Sequence, residues 1–125
     1  MIHHHNQSSV PPQRVVVLGA SGFVGGDLIR HLVSQGIDTV SLGSAEVDLS
    51  ESNSVSKLGQ IIKETDALVV VSAITPDKGR DIRTFMRNLS MIENLSEFLA
   101  GSPCAHVVYI SSDAVYDDDA QPVRE

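Results

Sequence analysis

The stretch that decides the fold is VVVLGASGFVG, residues 15–25. Its first four residues form a continuous apolar run that ends at a glycine, which is typical of a strand buried on both faces. From residue 23 the apolar side chains recur at helical spacing instead, at Val24, Leu28, Ile29, Leu32 and Val33. Gly36 then supplies the left-handed residue that commonly ends a helix. The sequence therefore predicts a buried strand, a glycine-rich turn and an amphipathic helix over residues 23–35.

The three glycines of this turn, Gly19, Gly22 and Gly25, have positions suited to holding a pair of phosphates. Gly19 would make the tight turn, Gly22 would permit close approach of the ligand, and Gly25 would let the helix lie against the sheet. The helix that begins there offers free N–H groups and the positive end of its dipole. The spacing is G-x-x-G-x-x-G, not the G-x-G-x-x-G of most dinucleotide folds. A plain tight turn is the alternative, but the flanking strand and helix favour a dinucleotide site.

The rest of the chain continues the alternation of strands and helices. Further strands are predicted over residues 39–42, 67–71 and 106–110, and further helices over residues 51–64, capped by Ser50, and 81–99. Helices of this size between strands indicate parallel pairing with right-handed crossovers, hence an α/β fold with a doubly wound sheet of about four strands. We expect the fourth strand to pair with the first, in the order 3-2-1-4. Its far edge would stay unpaired, which would allow a homo-oligomer.

The composition is that of a soluble globular protein with one modest core. The 125 residues are 42% hydrophobic and 20% charged, and the longest apolar runs are too short to span a membrane. A net charge of −7 argues against nucleic acid as a partner, because a phosphate backbone would be repelled. Residues 1–13 are polar and predict a flexible tail before a single domain over residues 14–125. Cys104 is the single cysteine, interpreted as a small buried hydrophobe, and its solitude fits a reducing cytoplasm.

Two runs of potential metal ligands, His3-His4-His5 and Asp117-Asp118-Asp119, could in principle gather a divalent ion. The histidines lie in the predicted tail. Consecutive aspartates of an extended or turn segment point in different directions, so a solvated loop is the better interpretation. We therefore predict no metal site.

Four further segments carry a resemblance to a known family. They are Val47-Asp48-Leu49-Ser50, Val71-Ser72-Ala73-Ile74, the pair Asn88 and Asn94, and Ile110-Ser111-Ser112-Asp113-Ala114-Val115-Tyr116. Together with the glycine turn they resemble the extended short-chain dehydrogenase/reductase family, the NAD-dependent epimerases and dehydratases of nucleotide sugars. The resemblance runs from about Arg14 to the end of the chain. It implies a Rossmann-type NAD(P)-binding domain and a substrate such as a nucleotide sugar.

The resemblance also implies which residues bind the cofactor. Asp48 matches an acid whose carboxylate meets the adenine amino group, and residues 72–74 match small residues under the cofactor's ribose and phosphates. The full implied set is Gly19, Ser21, Gly22, Phe23, Val24, Gly25, Ser44, Asp48, Leu49, Ser72, Ala73, Ile74, Asn88 and Ser111.

Ser112 is the implied catalytic residue. It matches a serine or threonine that hydrogen-bonds the substrate oxygen, and its place just beyond a predicted strand suits a ligand site in an open α/β sheet. Asp113 matches the proton donor of sugar dehydratases, but the glutamate base that follows it in that group is Ala114 here. Hydride transfer or epimerisation is therefore favoured over dehydration. Tyr116 matches a structural tyrosine, not the catalytic one.

The preference between NAD and NADP depends on the end of the second strand. An acid there would bind the ribose diol of NAD, whereas an arginine would bind the 2′-phosphate of NADP. Ser44 stands where related deoxysugar reductases often have arginine, which favours NAD weakly. Asp38 precedes the strand, and Glu46 comes slightly late in the sequence for a ribose ligand.

The family's catalytic Y-x-x-x-K is absent, since neither Tyr109 nor Tyr116 has lysine at the fourth place after it. Without a phenol tuned by a nearby ammonium there is no efficient proton relay for hydride transfer. We therefore expect an inactive N-terminal half of an NAD(P)-dependent enzyme, without its substrate domain. Two alternatives stay open: a non-catalytic NAD(P)-sensing module, and a scaffold for AMP-like ligands.

Overall fold

The computed structural model describes residues 10–111. The strands and helices are β1 (Arg14–Leu18), α1 (Phe23–Ser34), β2 (Asp38–Leu42), α2 (Ser52–Val55), a 3₁₀ helix (Ser56–Gln60), β3 (Ala67–Val70), α3 (Ile82–Gly101) and β4 (His106–Tyr109). All strand pairs are parallel. The predicted Rossmann-type doubly wound sheet is confirmed. Most of the predicted tail, with Ser112, Asp113 and the triple aspartate, lies outside the described residues.

The strand order is β2-β1-β3-β4, so the prediction that β4 pairs with β1 is wrong. A strand has two edges, and both edges of β1 are already occupied. Leu18 pairs with Leu42 of β2 on one side and with Val70 of β3 on the other. The chain reverses its direction of travel after β2, so β4 adds outside β3. The reversal places a topological switch point between β1 and β3, where open α/β sheets bind ligands beyond the carboxyl ends of their strands.

The core lies mainly on the sheet face covered by α2, the 3₁₀ helix and α3. Its buried side chains are Val16, Leu18, Leu42, Val47, Leu49, Val55, Leu58, Leu68, Val70 and Leu95. Val15 and Val17 are also buried, on the opposite face of β1, because side chains alternate along a strand. Helix α1 packs against β1 and β2. Gly36 ends α1 with a φ of +72°, as predicted.

The predicted helix over residues 51–64 is only partly present. The α-helical part ends at Val55 and a 3₁₀ helix continues to Gln60. Buried Val55 and Leu58 are three residues apart, a spacing that fits the 3.0-residue turn of a 3₁₀ helix as well as an α-helix. Ser50 does not cap this helix, because its N-cap position belongs to Glu51. The apolar pattern identified the buried face, but it could not distinguish the two helix types.

The end of the sheet opposite the carboxyl ends is fastened by an ion pair between Arg14 and Asp66. The guanidinium donates to both carboxylate oxygens, from Nε at 2.9 Å and from Nη2 at 2.6 Å. Arg14 also donates to the carbonyl of Ile61, and the N–H of Lys63 donates to Asp66. Asp66 is fully buried, and the hydrogen bond from Arg14 lowers the pKa of its carboxyl group. The pair joins the start of β1 to the turn before β3.

Among residues 10–111, no helix combines the length and apolar character that a bilayer crossing requires. Cys104 is half-buried and packs against the core, consistent with its interpretation as a small hydrophobe. Burial raises the pKa of its thiol above the ordinary value.

Candidate functional site

A crevice of about 500 Å³ opens at the carboxyl ends of β1, β2 and β3. Three loops form its walls: the glycine turn after β1, the loop after β2, and residues 71–74 after β3. The predicted cofactor residues that line it are Gly19, Ser21, Gly22, Ser44, Asp48, Leu49, Ser72, Ala73 and Ile74. These residues are far apart in sequence, and the switch point of the sheet brings them together.

The glycine turn depends on the absence of side chains at two of its positions. Gly19 has a φ of +95°, in the left-handed region that favours glycine. A Cβ on Gly19 would lie 2.9 Å from Oγ of Ser72, so the turn and the end of β3 touch. A Cβ on Gly25 would overlap the carbonyl oxygen of Gly19. Because glycine has no Cβ, α1 can start directly against the turn. Gly22 has room for a Cβ, at 3.4 Å from its nearest neighbour.

The N-terminus of α1 is open toward the turn. Its N-cap is Gly22, and no side chain caps it. The first backbone hydrogen bond of the helix runs from the N–H of Gly26 to the carbonyl of Gly22, at 2.8 Å. The side chains of Phe23 and Val24 do not line the crevice, and Phe23 is 91% exposed. Gly25 does not line it either, so of the predicted cofactor residues in this turn only Gly19, Ser21 and Gly22 reach the crevice.

Asp48 is held as a charged carboxylate on the crevice wall. Its Oδ1 accepts hydrogen bonds from the hydroxyl of Ser50 at 2.7 Å and from the N–H of Ser50 at 2.9 Å. These bonds lower the pKa of the Asp48 carboxyl group, and the nearby charge of Arg87 lowers it further. Nη2 of Arg87 lies 3.8 Å from Oδ2 of Asp48. Asp48 is therefore ionised at neutral pH.

The two predicted asparagines of α3 position the walls of the crevice. Asn88 accepts from the N–H of Ile74 at 2.8 Å and donates to its carbonyl at 3.1 Å. Asn94 donates to the carbonyl of Leu49 at 2.9 Å. Asn88 does not line the main crevice, but a neighbouring cavity of about 210 Å³. Both amides therefore hydrogen-bond to backbone groups: Asn88 to the loop after β3 and Asn94 to the loop after β2.

Sequence reasoning missed two cations of the crevice, Lys78 and Arg87. A usable signal for Arg87 was its spacing, because Arg87, Met91 and Asn94 follow one another at three- and four-residue steps along α3. Met91 lines the crevice as well. No comparable periodic signal marks Lys78, which lies in the irregular segment between β3 and α3.

The side chain of Glu46 lies at the end of β2, although its place in the sequence is four residues later. The loop after β2 makes a tight turn in which the N–H groups of Glu46 and Val47 both donate to the carbonyl of Gly43. The Glu46 side chain folds back, and its Oε2 accepts from the N–H of Gly43 at 2.8 Å. A carboxylate therefore lies at the carboxyl end of β2.

Ser111 follows β4 at the end of the described residues and does not line the crevice. It lies beyond β4, which pairs with the outer side of β3. Ser112 and Asp113 lie outside the described residues, so their predicted roles stay predictions. Within residues 10–111, no group of three or more His, Cys, Asp or Glu side chains could hold a metal ion.

Comparison with known proteins gives one family and a set of similar folds. The sequence model described as the NAD dependent epimerase/dehydratase family matches residues 15–125. No curated protein matches the sequence significantly.

Among solved structures, a GDP-D-glycero-L-gluco-heptose synthase of Campylobacter jejuni, in the presence of NADPH, has a TM-score of 0.77 at 17% identity over 90% of this chain and 34% of that one. A GDP-L-fucose synthetase of Naegleria fowleri bound to NADP has a TM-score of 0.75 at 14% identity, covering 94% and 39%. An ADP-L-glycero-D-manno-heptose-6-epimerase of Helicobacter pylori has a TM-score of 0.73 at 19% identity, covering 88% and 42%. The chain spans about a third to two fifths of these structures, and they show its fold.

Proposed function

Because the chain belongs to the NAD dependent epimerase/dehydratase family, we propose that residues 14–125 bind a nicotinamide dinucleotide in the crevice at the β1/β3 switch point. The parent activity is an epimerisation or reduction of a sugar nucleotide. The three similar structures are a synthase, a synthetase and an epimerase named for nucleotide-linked sugars, which supports that substrate class.

The observation that carries the proposal is the uncapped start of α1 behind the glycine turn. Backbone N–H groups at a helix start attract anions, and the helix dipole adds to this attraction. Gly22 leaves the approach open, while Gly19 and Gly25 keep the turn tight against the sheet. A pyrophosphate fits this place because it needs several donors and no intruding side chain.

The walls of the crevice on either side of the glycine turn then determine where the two halves of the dinucleotide lie. The adenosine half lies along the β2 loop, where the ionised carboxylate of Asp48 accepts from the adenine amino group. The nicotinamide half lies along residues 72–74 after β3. Ser112 is the proposed group that hydrogen-bonds the substrate oxygen, with Asp113 as a further proton donor.

For the cofactor we propose NAD over NADP, since residues 43–46 after β2 are Gly-Ser-Ala-Glu and include no cation that could pair with a 2′-phosphate. One of the similar structures is bound to NADP and another was determined in the presence of NADPH, so both cofactors belong in any binding test. The 125 residues hold no Y-x-x-x-K, so we propose that this chain binds the cofactor without turning over a substrate.

The test is titration of the 125-residue chain with NADH, NADPH and AMP, for the wild type and for Gly22→Val. Gly22 has a φ of −78° and a ψ of 167°, which any residue adopts, so the substitution strains no backbone, and circular dichroism checks that the variant folds. Its side chain fills the approach of the pyrophosphate, and dinucleotide affinity falls at least about tenfold. Gly26→Ala is the matched control, because a Cβ on Gly26 meets nothing closer than 3.6 Å. Unchanged dinucleotide binding by Gly22→Val refutes the proposed site, and AMP binding as tight as dinucleotide binding indicates a scaffold for AMP-like ligands instead.

A further inference from the structure

We propose that Glu46 is the residue that discriminates against a 2′-phosphate on the cofactor, although it lies four positions after the last residue of β2. The inference rests on the proposed dinucleotide site and assigns a specificity role within it. Rossmann folds that prefer NAD commonly close their second strand with an acid that binds the ribose hydroxyls. In this chain the residue that follows β2 is Gly43, which has no side chain.

The side chain of Glu46 lies beside Gly43, in the place that a side chain at position 43 would take. A Cβ built on Gly43 would lie 3.1 Å from Oε2 of Glu46 and 3.5 Å from Oγ of Ser21. The Glu46 carboxylate therefore occupies the space beside the strand end that an acid at position 43 would reach. Glu46 does not line the crevice itself, but Ser21 of the glycine turn and its own neighbours Ala45 and Val47 do. The carboxylate therefore lies at the rim of the crevice, where the glycine turn meets the β2 loop that receives the adenosine half.

The hydrogen bond from the N–H of Gly43 holds the Glu46 carboxylate in place through one oxygen and leaves the other oxygen available to a ligand. Oε2 accepts from the N–H of Gly43, while Oε1 has no hydrogen-bond partner among residues 10–111. Glu46 is exposed, so a ligand can reach it from solvent. An ionised carboxylate only accepts hydrogen bonds, so it suits a ribose hydroxyl, which can donate.

A 2′-phosphate at this place would meet an unfavourable charge. It carries about −1.5 to −2 elementary charges at pH 7, and the Glu46 carboxylate repels it. The two cations of the crevice come from other walls. Lys78 comes from the segment before α3, and Arg87 comes from α3 itself, where it lies against Asp48 and Ser50.

The test compares NADH with NADPH on the full 125-residue chain, for the wild type and for Glu46→Gln. Glutamine keeps an oxygen that can accept from the N–H of Gly43, so the turn is retained while the charge is removed. We expect the wild type to prefer NADH and the variant to lose most of this preference, with the ratio of dissociation constants changing about tenfold toward NADPH. Glu51→Gln is the matched control, because Glu51 is an exposed acid of the same loop whose side chain caps no helix.

A second readout separates charge from structure. Raising the salt concentration screens exposed charges, so the wild-type preference for NADH should shrink with salt while that of Glu46→Gln stays flat. A wild-type preference for NADPH, or an NADH-to-NADPH ratio that changes less than twofold in Glu46→Gln, overturns the role of Glu46 and leaves the dinucleotide site intact. If the wild type binds neither dinucleotide, the proposed function and this inference both fail.

Discussion

Replacing Asp66 with alanine tests how the base of the sheet is held. The substitution removes the partner of two Arg14 hydrogen bonds and the acceptor of the Lys63 N–H. Truncating one member of a buried ion pair typically destabilises a protein by about 3–5 kcal/mol, because the other charge remains without its partner. The Arg14 side chain is 17% exposed and keeps the carbonyl of Ile61 as an acceptor. We therefore expect the lower end, a loss of about 3 kcal/mol in the free energy of unfolding.

The assay is urea denaturation of the 125-residue chain at pH 7, followed by circular dichroism. The control is Asp27→Ala, which removes the pair between Asp27 and Arg30 on the surface of α1, where both side chains are more than 70% exposed. Exposed pairs contribute little, so this variant should stay within about 0.5 kcal/mol of the wild type. A double-mutant cycle with Arg14→Ala completes the design.

The double-mutant cycle tests whether Arg14 and Asp66 stabilise the fold as a pair. If the pair acts as a unit, the double variant is no less stable than Asp66→Ala, because the arginine without a partner has also been removed. Additive losses, or a loss below about 1 kcal/mol for Asp66→Ala, would refute the view that the ion pair fastens β1 to the turn before β3.

Two further predictions concern pH and the β3 loop. The pKa of Asp66 is lower in the folded chain, so its contribution is complete above the unfolded value of about 4 and is lost as the pH falls through the lower folded value. The stability difference between the wild type and Asp66→Asn should thus be constant from pH 7 to about 5 and should shrink below about 4 in urea titrations; a difference that grows on acidification contradicts this. Asn88→Ala leaves the N–H and carbonyl of Ile74 without their amide partner, which should cost about 1–3 kcal/mol and weaken NADH binding measured by titration, whereas Asn53→Ala on α2 should change neither.

The local elements of this fold could be predicted from the sequence, because their signals are short-range. The apolar run before Gly19, the helical spacing after it and the stop at Gly36 each depend on neighbouring residues, and the structure confirms them. The partner of β4 could not be predicted this way. Which edge of β1 remains available depends on where β3 has already paired, and that is a property of the whole sheet.

The residues of the candidate site also differ in whether local sequence could identify them. The glycines could be identified because their spacing follows from the geometry of a single turn. A linear count puts Glu46 too late in the sequence for a ribose ligand, because such a count assumes that the chain continues outward from β2. The tight turn over residues 43–47 reverses that direction and returns the carboxylate to the strand end. Distance along the chain therefore misjudges a loop that folds back on itself.

Helices α1 and α3 both start at the carboxyl edge of the sheet, yet their N-termini differ in a way that favours an anion at only one of them. The side chain of Asp81 caps α3, where its Oδ1 accepts from the N–H of Thr84 at 2.9 Å and places a negative charge at the helix start. No side chain caps α1, and its first turn contains no acid. A capping carboxylate satisfies helix N–H groups and stabilises the helix, but it also repels a phosphate. Where the capping acid is missing, behind Gly22, the helix start keeps its unfilled donors, and this is the end at which we place the pyrophosphate.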